Sequence, residues 1–164
     1  MAESDVVDSI LEQWRRERPD LNVAPMGVIG RVSRLARELE ARLEPVYAAH
    51  GLEAGWFDVL ATLRRSGPPF RLRASHFTRA LMLTASGATK RLDRLEQAGL
   101  ISRVPDPDDR RGILIALTPK GRRLVDKAVV AHVDNEHRLL SGLTKDEQRQ
   151  LAGLLRKLGL SLRD

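Results

Sequence analysis

The chain has 164 residues, of which 42% are hydrophobic and only 4% aromatic, so it holds material for one domain, or one domain with dimerisation arms, and a core of Leu, Val, Ile and Ala. Its net charge is +6, which turns attention to an acidic partner, and its lack of cysteine excludes disulfides, thiolate metal sites and thiol redox sensing. No apolar run reaches the roughly eighteen residues of a membrane span and no signal-peptide pattern opens the sequence, so a soluble, cytoplasmic protein with no membrane partner is expected.

Ser4 is placed to cap a first helix over about 5–17, ended by Pro19, with Val6, Val7, Ile10, Leu11 and Trp14 at helical spacing. Pro25 opens a longer helix whose apolar stripe is Val28, Ile29, Val32, Leu35, Leu39, Leu43 and Val46. Pro45 either kinks this helix or starts a separate turn. A third helix over about 53–65 stops before Gly67-Pro68-Pro69, and a short one is expected near 73–80. Thr84 caps the next helix, which ends with Gly99 at a left-handed closing position. Two strands, 101–104 and 113–117, flank the turn sequence PDPDDRRG. Thr118-Pro119 caps a long helix from 120 to about 140, and Thr144 with Glu147 makes a capping box for a last helix to about 160. The fold class is therefore mainly α with a small β-ribbon. Helices at 1–50 and 124–164 flank a centre at 51–123, and packing on a second copy of the chain is their evident use.

Charge is sorted along this layout. Residues 1–70 sum to −2, residues 71–123 to +7 and residues 124–164 to +1. The cationic stretch is the one whose helix and ribbon have the shape of a DNA reader, with a helix for the major groove and a ribbon tip for the adjacent minor groove. In the helix after Thr84, the inward stripe is Ala88, Leu92, Leu95 and Gly99. Ser86, Lys90, Asp93 and Gln97 fall on another face, with Thr89, Arg91 and Arg94 beside it. Small residues at its start, Ala85, Ser86 and Gly87, permit close approach to a base edge or phosphate. Lys90, Arg91 and Arg94 supply phosphate neutralisation. At the ribbon tip, Arg110 and Arg111 suit a narrow minor groove, and Asp109 stands two residues before Arg111, close enough to orient its guanidinium. A solvated hairpin tip is the plainer alternative.

The run GATKRLDRLEQAGLISRVPDPDDRRGILIALTPKGRRL resembles the multiple-antibiotic-resistance regulator (MarR) family of winged-helix transcription factors. The matching features are the L-x-x-L-E-x-x-G-L-I-x-R helix end, the D-x-R wing and the following strand that closes on L-T-x-x-G, joined in the same order and spacing. The helix order on both sides fits as well. This resemblance implies a winged helix-turn-helix domain flanked by N- and C-terminal dimerisation helices. It implies a homodimer on a pseudo-palindromic double-stranded DNA operator, with repression as the usual mode. It places Ser86, Gly87, Thr89, Lys90 and Arg94 on the DNA-facing helix, with Arg111 as the wing arginine and Asp109 as its supporting carboxylate.

A second pattern lies in the third helix. Asp58, Thr62 and Arg65 share one face of a segment otherwise dominated by Trp56, Phe57, Val59, Leu60 and Leu63. A carboxylate there must be neutralised, hydrogen-bonded or protonated. One reading is an internal ion pair with an arginine of another helix. The other comes from resemblance to the urate-responsive branch of the same family. That branch has an added first helix bearing a tryptophan, an Asp before the reading head, an Arg seven residues on and an Arg at the start of the wing. Trp14, Asp58, Arg65 and Arg103 match those positions, and WRRERPDLN fits the end of the added helix. The resemblance implies a small anionic effector, urate or another aromatic anion. Trp14 would offer an aromatic face, Arg65 or Arg103 would meet an anionic oxygen, and Asp58 would accept from a ring N–H.

No enzyme motif is present: there is no HExxH, GxGxxG, phosphate-binding loop or G-x-S-x-G elbow. His50, His76, His132 and His137 are too scattered for a metal motif, and His132 and His137, five apart on one helix, read as ordinary surface or interface residues. No cofactor is expected. The competing function is a nonspecific architectural DNA- or RNA-binding protein without a ligand switch.

Overall fold

The computed structural model describes residues 4–74 and 88–162. Two compact units are present, residues 1–42 and 43–164. Helix α1 (Val6–Glu17) and most of α2 (Ala24–Ala48) make the first. The second holds the end of α2, then α3 (Ala54–Arg65), β1 (Arg71–Arg73), α4 (Ala88–Gln97), β2 (Ile101–Asp106), β3 (Asp109–Leu117), α5 (Pro119–Leu139) and α6 (Lys145–Ser161). No helix among the described residues is long and apolar enough to cross a membrane.

In the first unit Val7, Leu11 and Val23 form a small buried cluster. The cap of α1 is Asp5, one residue after the expected Ser4. Its carboxylate accepts from the N–H groups of Val7 and Asp8 at 2.8 and 2.9 Å, and Asp8 accepts from the Asp5 N–H in return. Arg31 pairs with both carboxylates and is the main cause of a lowered Asp5 pKa, with the Asp8 N–H bond next. Pro45 starts no separate turn: it lies inside α2, and the Ala49 N–H donates to its carbonyl at 3.0 Å.

The second unit is built on α3, whose Phe57, Val59, Leu60 and Leu63 are buried against Leu92 and Leu95 of α4, Ile101 and Ile115 of the sheet, and Val125 and Ala128 of α5. The antiparallel sheet runs β1-β3-β2. Strand β1 is an element the sequence reading lacks; it takes Arg73, where the short helix was expected to begin, and helical backbone starts one residue later at Ala74. Phe70, at φ 57°, turns the chain after Pro69 so that Arg71–Arg73 pair with Leu114–Ala116, and the Leu117 N–H donates to the Phe70 carbonyl at 2.9 Å. The guanidinium groups of Arg64 and Arg122 lie over the Phe70 ring at 5.0 and 4.7 Å, and Asp126 joins the two arginines. The remainder of that expected helix, and the Thr84 cap, lie outside the described residues. The ribbon is longer than the sequence predicts. Asp106 and Asp109 are paired, leaving only Pro107 and Asp108 in the turn, because Asp106 accepts the Asp108 N–H at 3.0 Å and folds the tip on itself.

Helix α4 ends as expected at Gly99, which has φ 70°. The Leu100 N–H reaches the Leu95 carbonyl and the Gly99 N–H that of Glu96, the paired bonds of a Schellman close. The start of α5 then locks onto this turn. Thr118 caps α5 by accepting the Gly121 N–H at 3.0 Å, and its hydroxyl proton is shared between the carbonyls of Gly99 and Leu100. Lys120 Nζ donates to the Ala98 carbonyl at 2.8 Å. Gly121 is buried against the Leu100 carbonyl, and a methyl group there would overlap that oxygen and stand 2.9 Å from its carbon.

A polar-aromatic cluster closes the other side of the core. The rings of Tyr47 and Phe57 stack at 4.6 Å, and His132 of α5 lies 4.7 Å from Phe57. Tyr47 Oη is 3.2 Å from His132 Nδ1, and His132 Nε2 is 3.2 Å from Glu136. His132 is thus mostly enclosed within its own chain, with its side chain 16% exposed. Burial, then the nearby Glu136 and Asp58 carboxylates, push the Tyr47 pKa up to about 12.

Gly121→Ala should lower stability by about 1–3 kcal/mol, towards the upper end because the obstacle is backbone, and a urea denaturation midpoint equal to the parent's would refute the close approach. The pKa of Tyr47 is raised on folding, so its contribution to stability is complete below pH 10 and is lost as pH climbs towards 12. Because the chain has one tyrosine, its tyrosinate absorbance reports this group alone and should titrate near 12 in folded protein. Titration at the same pH in folded and denatured protein would contradict the enclosure.

Candidate nucleic-acid interface and ligand pocket

Helix α4 has two chemically different sides. Leu92 and Leu95 are buried, while Thr89, Lys90 and Arg94 are exposed. Its carboxylates point elsewhere. Asp93 and Glu96 both bind Arg103 of β2: Arg103 Nη2 donates to Asp93 at 2.6 Å, Nη1 donates to Glu96, and the Arg103 backbone N–H donates to the other Glu96 oxygen at 3.0 Å. The Asp93 bond, with Glu96 beside it, holds the Arg103 pKa above its already high ordinary value. The negative charge of α4 is thereby consumed on the side of the ribbon, and the outward side is left cationic. Arg94 also stands 3.9 Å from Glu53, an exposed pair that contributes little.

At the wing, Asp106 is buried, with Arg73 Nε 2.5 Å from one oxygen. The hydrogen bond from the Asp108 N–H, with help from Arg73, draws the Asp106 pKa below the usual carboxylate range. Asp109 does support Arg111, but through the main chain: its carboxylate accepts the Arg111 N–H at 3.0 Å. The expected contact to the guanidinium is replaced by a bond that fixes the backbone from which an exposed Arg111 projects. Gly112 is required beside it, since a Cβ there would lie 2.8 Å from that of Asp106. An open cleft of about 280 Å³ is lined by Arg73, Ala74, Asp109, Arg111, Gly112 and Ile113. Ser86, Gly87 and the side chain of Arg110 lie outside the described residues.

The polar face of α3 passes from core to surface. Asp58 and Thr62 are buried at 6% and 1% exposure, and Arg65 is exposed. The Thr62 hydroxyl is buried without a hydrogen-bond partner. Trp14 stands on α1 in the other unit and is 41% exposed. The structure brings Asp58 into the electrostatic neighbourhood of Tyr47 and brings Arg103 onto α4. The Tyr47–His132–Glu136 cluster was not foreseen, because its members lie 85 and 89 residues apart and only packing brings them together. Asp106 was missed as well, although its place two residues before an N–H at a Pro-Asp tip was an available signal. Among the described residues, no three His, Cys, Asp or Glu side chains form a group that could hold a metal ion.

Known proteins resemble this arrangement. A MarR family model matches residues 50–112. The HTH-type transcriptional regulator PecS of Dickeya dadantii is 46% identical over 149 residues, covering 91% of this chain and 90% of that protein. Sco3205 of Streptomyces coelicolor, a MarR family transcriptional regulator solved in complex with DNA, superposes with a TM-score of 0.78 at 25% identity over 88% of this chain and 91% of that one. BpsR of Bordetella bronchiseptica, whose structure describes regulation of DNA binding by 6-hydroxynicotinic acid, gives a TM-score of 0.70 at 28% identity over 80% and 92%. These homologues are regulators, not enzymes. Identity sustained along nine-tenths of a regulator, on a three-stranded wing and helix set shared with solved members, places this chain in the MarR family of winged-helix transcriptional regulators.

Proposed function

We propose that the protein is a ligand-responsive transcriptional repressor that binds a pseudo-palindromic DNA operator as a homodimer and is released by a small anionic ligand such as urate. The observation that carries the DNA half is the sorting of charge on α4, with Lys90 and Arg94 outward and Asp93 and Glu96 turned onto Arg103. Such a helix meets a major groove with donors and cations only. Arg111 on a braced hairpin is suited to the flanking minor groove. Ser86, Gly87, Thr89 and Arg110 complete the proposed contact surface.

The dimer reading is supported by helices with unspent apolar faces. Helix α6 has no buried residue although it carries Leu151, Leu154, Leu155 and Leu160, and α2 exposes Val28, Ile29, Val32 and Leu35. A second copy would cover both, and two reading helices would then meet half-sites about 34 Å apart.

The ligand half rests on the buried carboxylate of Asp58, with Arg65 on the same helix, Trp14 as a stacking face and Arg103 as the relay. BpsR, a structural relative, is regulated by an aromatic heterocyclic acid, which favours an effector of this class. A ligand oxygen drawing on Arg103 competes with Asp93 and Glu96, so binding would loosen the contact that orients α4.

Operator binding should exceed binding to random duplex by about a thousandfold or more at matched salt. Arg111→Ala should cut operator affinity about tenfold or more with an unchanged sedimentation profile. Equal affinity for operator and random sequence would instead favour an architectural protein. Asp58→Asn and Trp14→Ala should retain DNA binding yet need at least tenfold more urate for release in a titration run beside xanthine, salicylate and citrate. Parental urate response in both variants would remove this pocket.

A further inference from the structure

Beside the outward face of α4 is a cleft of about 150 Å³, walled by Glu53, Trp56, Lys90, Arg91 and Arg94. It joins the first turn of α3 to the DNA-facing side of α4. Two of its wall residues present donors that are buried and have no hydrogen-bond partner, Trp56 Nε1 and Arg91 Nη1. Buried donors are ordinarily satisfied, and an orphaned pair on one cleft marks a place for an acceptor. The Glu53 carboxylate is drawn towards Arg94 at 3.9 Å and makes no capping bond to α3.

Gly55 makes this arrangement possible. A Cβ built on it would lie 2.6 Å from Arg91 Cζ and 2.9 Å from Nη2, and would overlap Nε. The guanidinium therefore rests against the backbone of the first turn of α3, beside the Trp56 indole. The walls offer an indole N–H, a guanidinium and two further cations against a single, solvent-exposed carboxylate, Glu53, 3.9 Å from Arg94. This donor set suits a tetrahedral oxyanion. Its place on the flank of a groove-facing helix suits the phosphates that border the groove.

We propose that this cleft seats one DNA backbone phosphate, with Trp56 Nε1 and Arg91 donating to its oxygens and Lys90 and Arg94 supplying flanking charge. The inference rests on the DNA-binding reading and adds to it two positioning residues, Trp56 and Arg91, with Gly55 as the residue that makes room. The seat fixes the depth and register of α4 and is independent of base sequence.

The experiment measures binding to a random-sequence duplex across a salt series for the parent, Trp56→Phe, Gly55→Ala, Arg91→Gln and Lys90→Gln. Trp56→Phe keeps the aromatic packing and removes only the donor, so affinity should fall roughly tenfold with the salt slope unchanged. Arg91→Gln should lower affinity and also shallow the logarithmic salt slope by about 0.9 per protomer. Gly55→Ala should displace a flexible guanidinium, weakening binding roughly tenfold while the melting temperature holds or rises, because alanine is the better helix former. Loss of DNA binding without loss of stability is a signature that a merely structural glycine does not give. Parental affinity in Trp56→Phe and Gly55→Ala, alongside weakened binding in Lys90→Gln, would overturn the seat and leave DNA binding standing. A parent that binds no duplex would overturn both. Inorganic phosphate substituted for chloride at constant ionic strength gives a separate arm. If it displaces the duplex saturably from the parent but not from Trp56→Phe, anion and duplex compete for one seat, as the backbone assignment requires; phosphate that binds the parent saturably through Trp56 yet leaves duplex affinity unchanged would give the seat to a free anion and overturn that assignment.

Discussion

The second unit depends on one close approach, that of the α5 N-terminus to the turn that ends α4. Gly121 lies against the Leu100 carbonyl where no side chain fits, and Thr118 satisfies the carbonyls of Gly99 and Leu100 while capping its own helix. Helix C-termini leave carbonyls without internal partners. Here those of Arg94, Leu95 and Glu96 are answered by N–H groups of the closing turn, and the carbonyls of that turn, Ala98, Gly99 and Leu100, are answered by Thr118 and Lys120, so the end of α4 is joined to α5 by directed bonds as well as by packing. Because α5 carries Val125 and Ala128 into the same core as Leu60 and Leu95, the direction of α4 is set by the centre of the unit.

With the axis of α4 fixed, its rotation about that axis becomes the remaining variable, and charge settles it. Leu92 and Leu95 fill the core side. Arg103 gathers Asp93 and Glu96 on a second side, and Lys90 and Arg94 are left outward. A carboxylate on the outward face would have repelled a polyanion directly. Held by a half-buried guanidinium, the same charges act as a brace between helix and ribbon. Asp106 plays the corresponding part at the far end of the ribbon, tying Arg73 and the Asp108 N–H so that the tip is tight where Arg111 emerges.

Much of this was readable from residue order. Gly99, the Thr144–Glu147 box and the Thr118-Pro119 start of α5 are local signals, each carried by a few neighbouring residues, and the structure holds them where they were expected. The misreadings were of two kinds. At the start of α1 two capping residues competed, and the carboxylate of Asp5, able to accept two N–H bonds, took the position expected of Ser4. At 71–73 the pattern RLR is too short to show a period, and its strand character comes from pairing with β3 more than forty residues later. The same reason hid the Tyr47–His132 contact. Of the candidate site residues, the outward placement of Thr89, Lys90, Arg94 and Arg111 was legible because it follows from local helix and hairpin periodicity. The partners that orient them, Asp93 and Glu96 for Arg103 and the main chain for Asp109, were not, since choosing among nearby opposite charges requires knowing which way each side chain leaves its element.

The brace and the proposed groove face share one short helix, which would suit α4 to be the output of the proposed switch. Its ten residues carry three cations and two carboxylates, so any change in how Arg103 is held changes the field that the outward face presents as well as its orientation. A guanidinium that loses its two carboxylates to an incoming anion leaves them partly uncompensated about one turn from Lys90 and Arg94. Electrostatic penalty and mechanical loosening would then act in the same direction, against a polyanion. A buried carboxylate at Asp58 belongs to the same economy of charge. It is enclosed near Tyr47, whose raised pKa keeps the phenol neutral, so the interior around it offers hydrogen bonds without adding a further negative charge. In the proposed switch, an enclosed carboxylate would have more free energy to exchange with a ligand than one exposed to solvent, because a change of partner is felt more strongly where water is excluded.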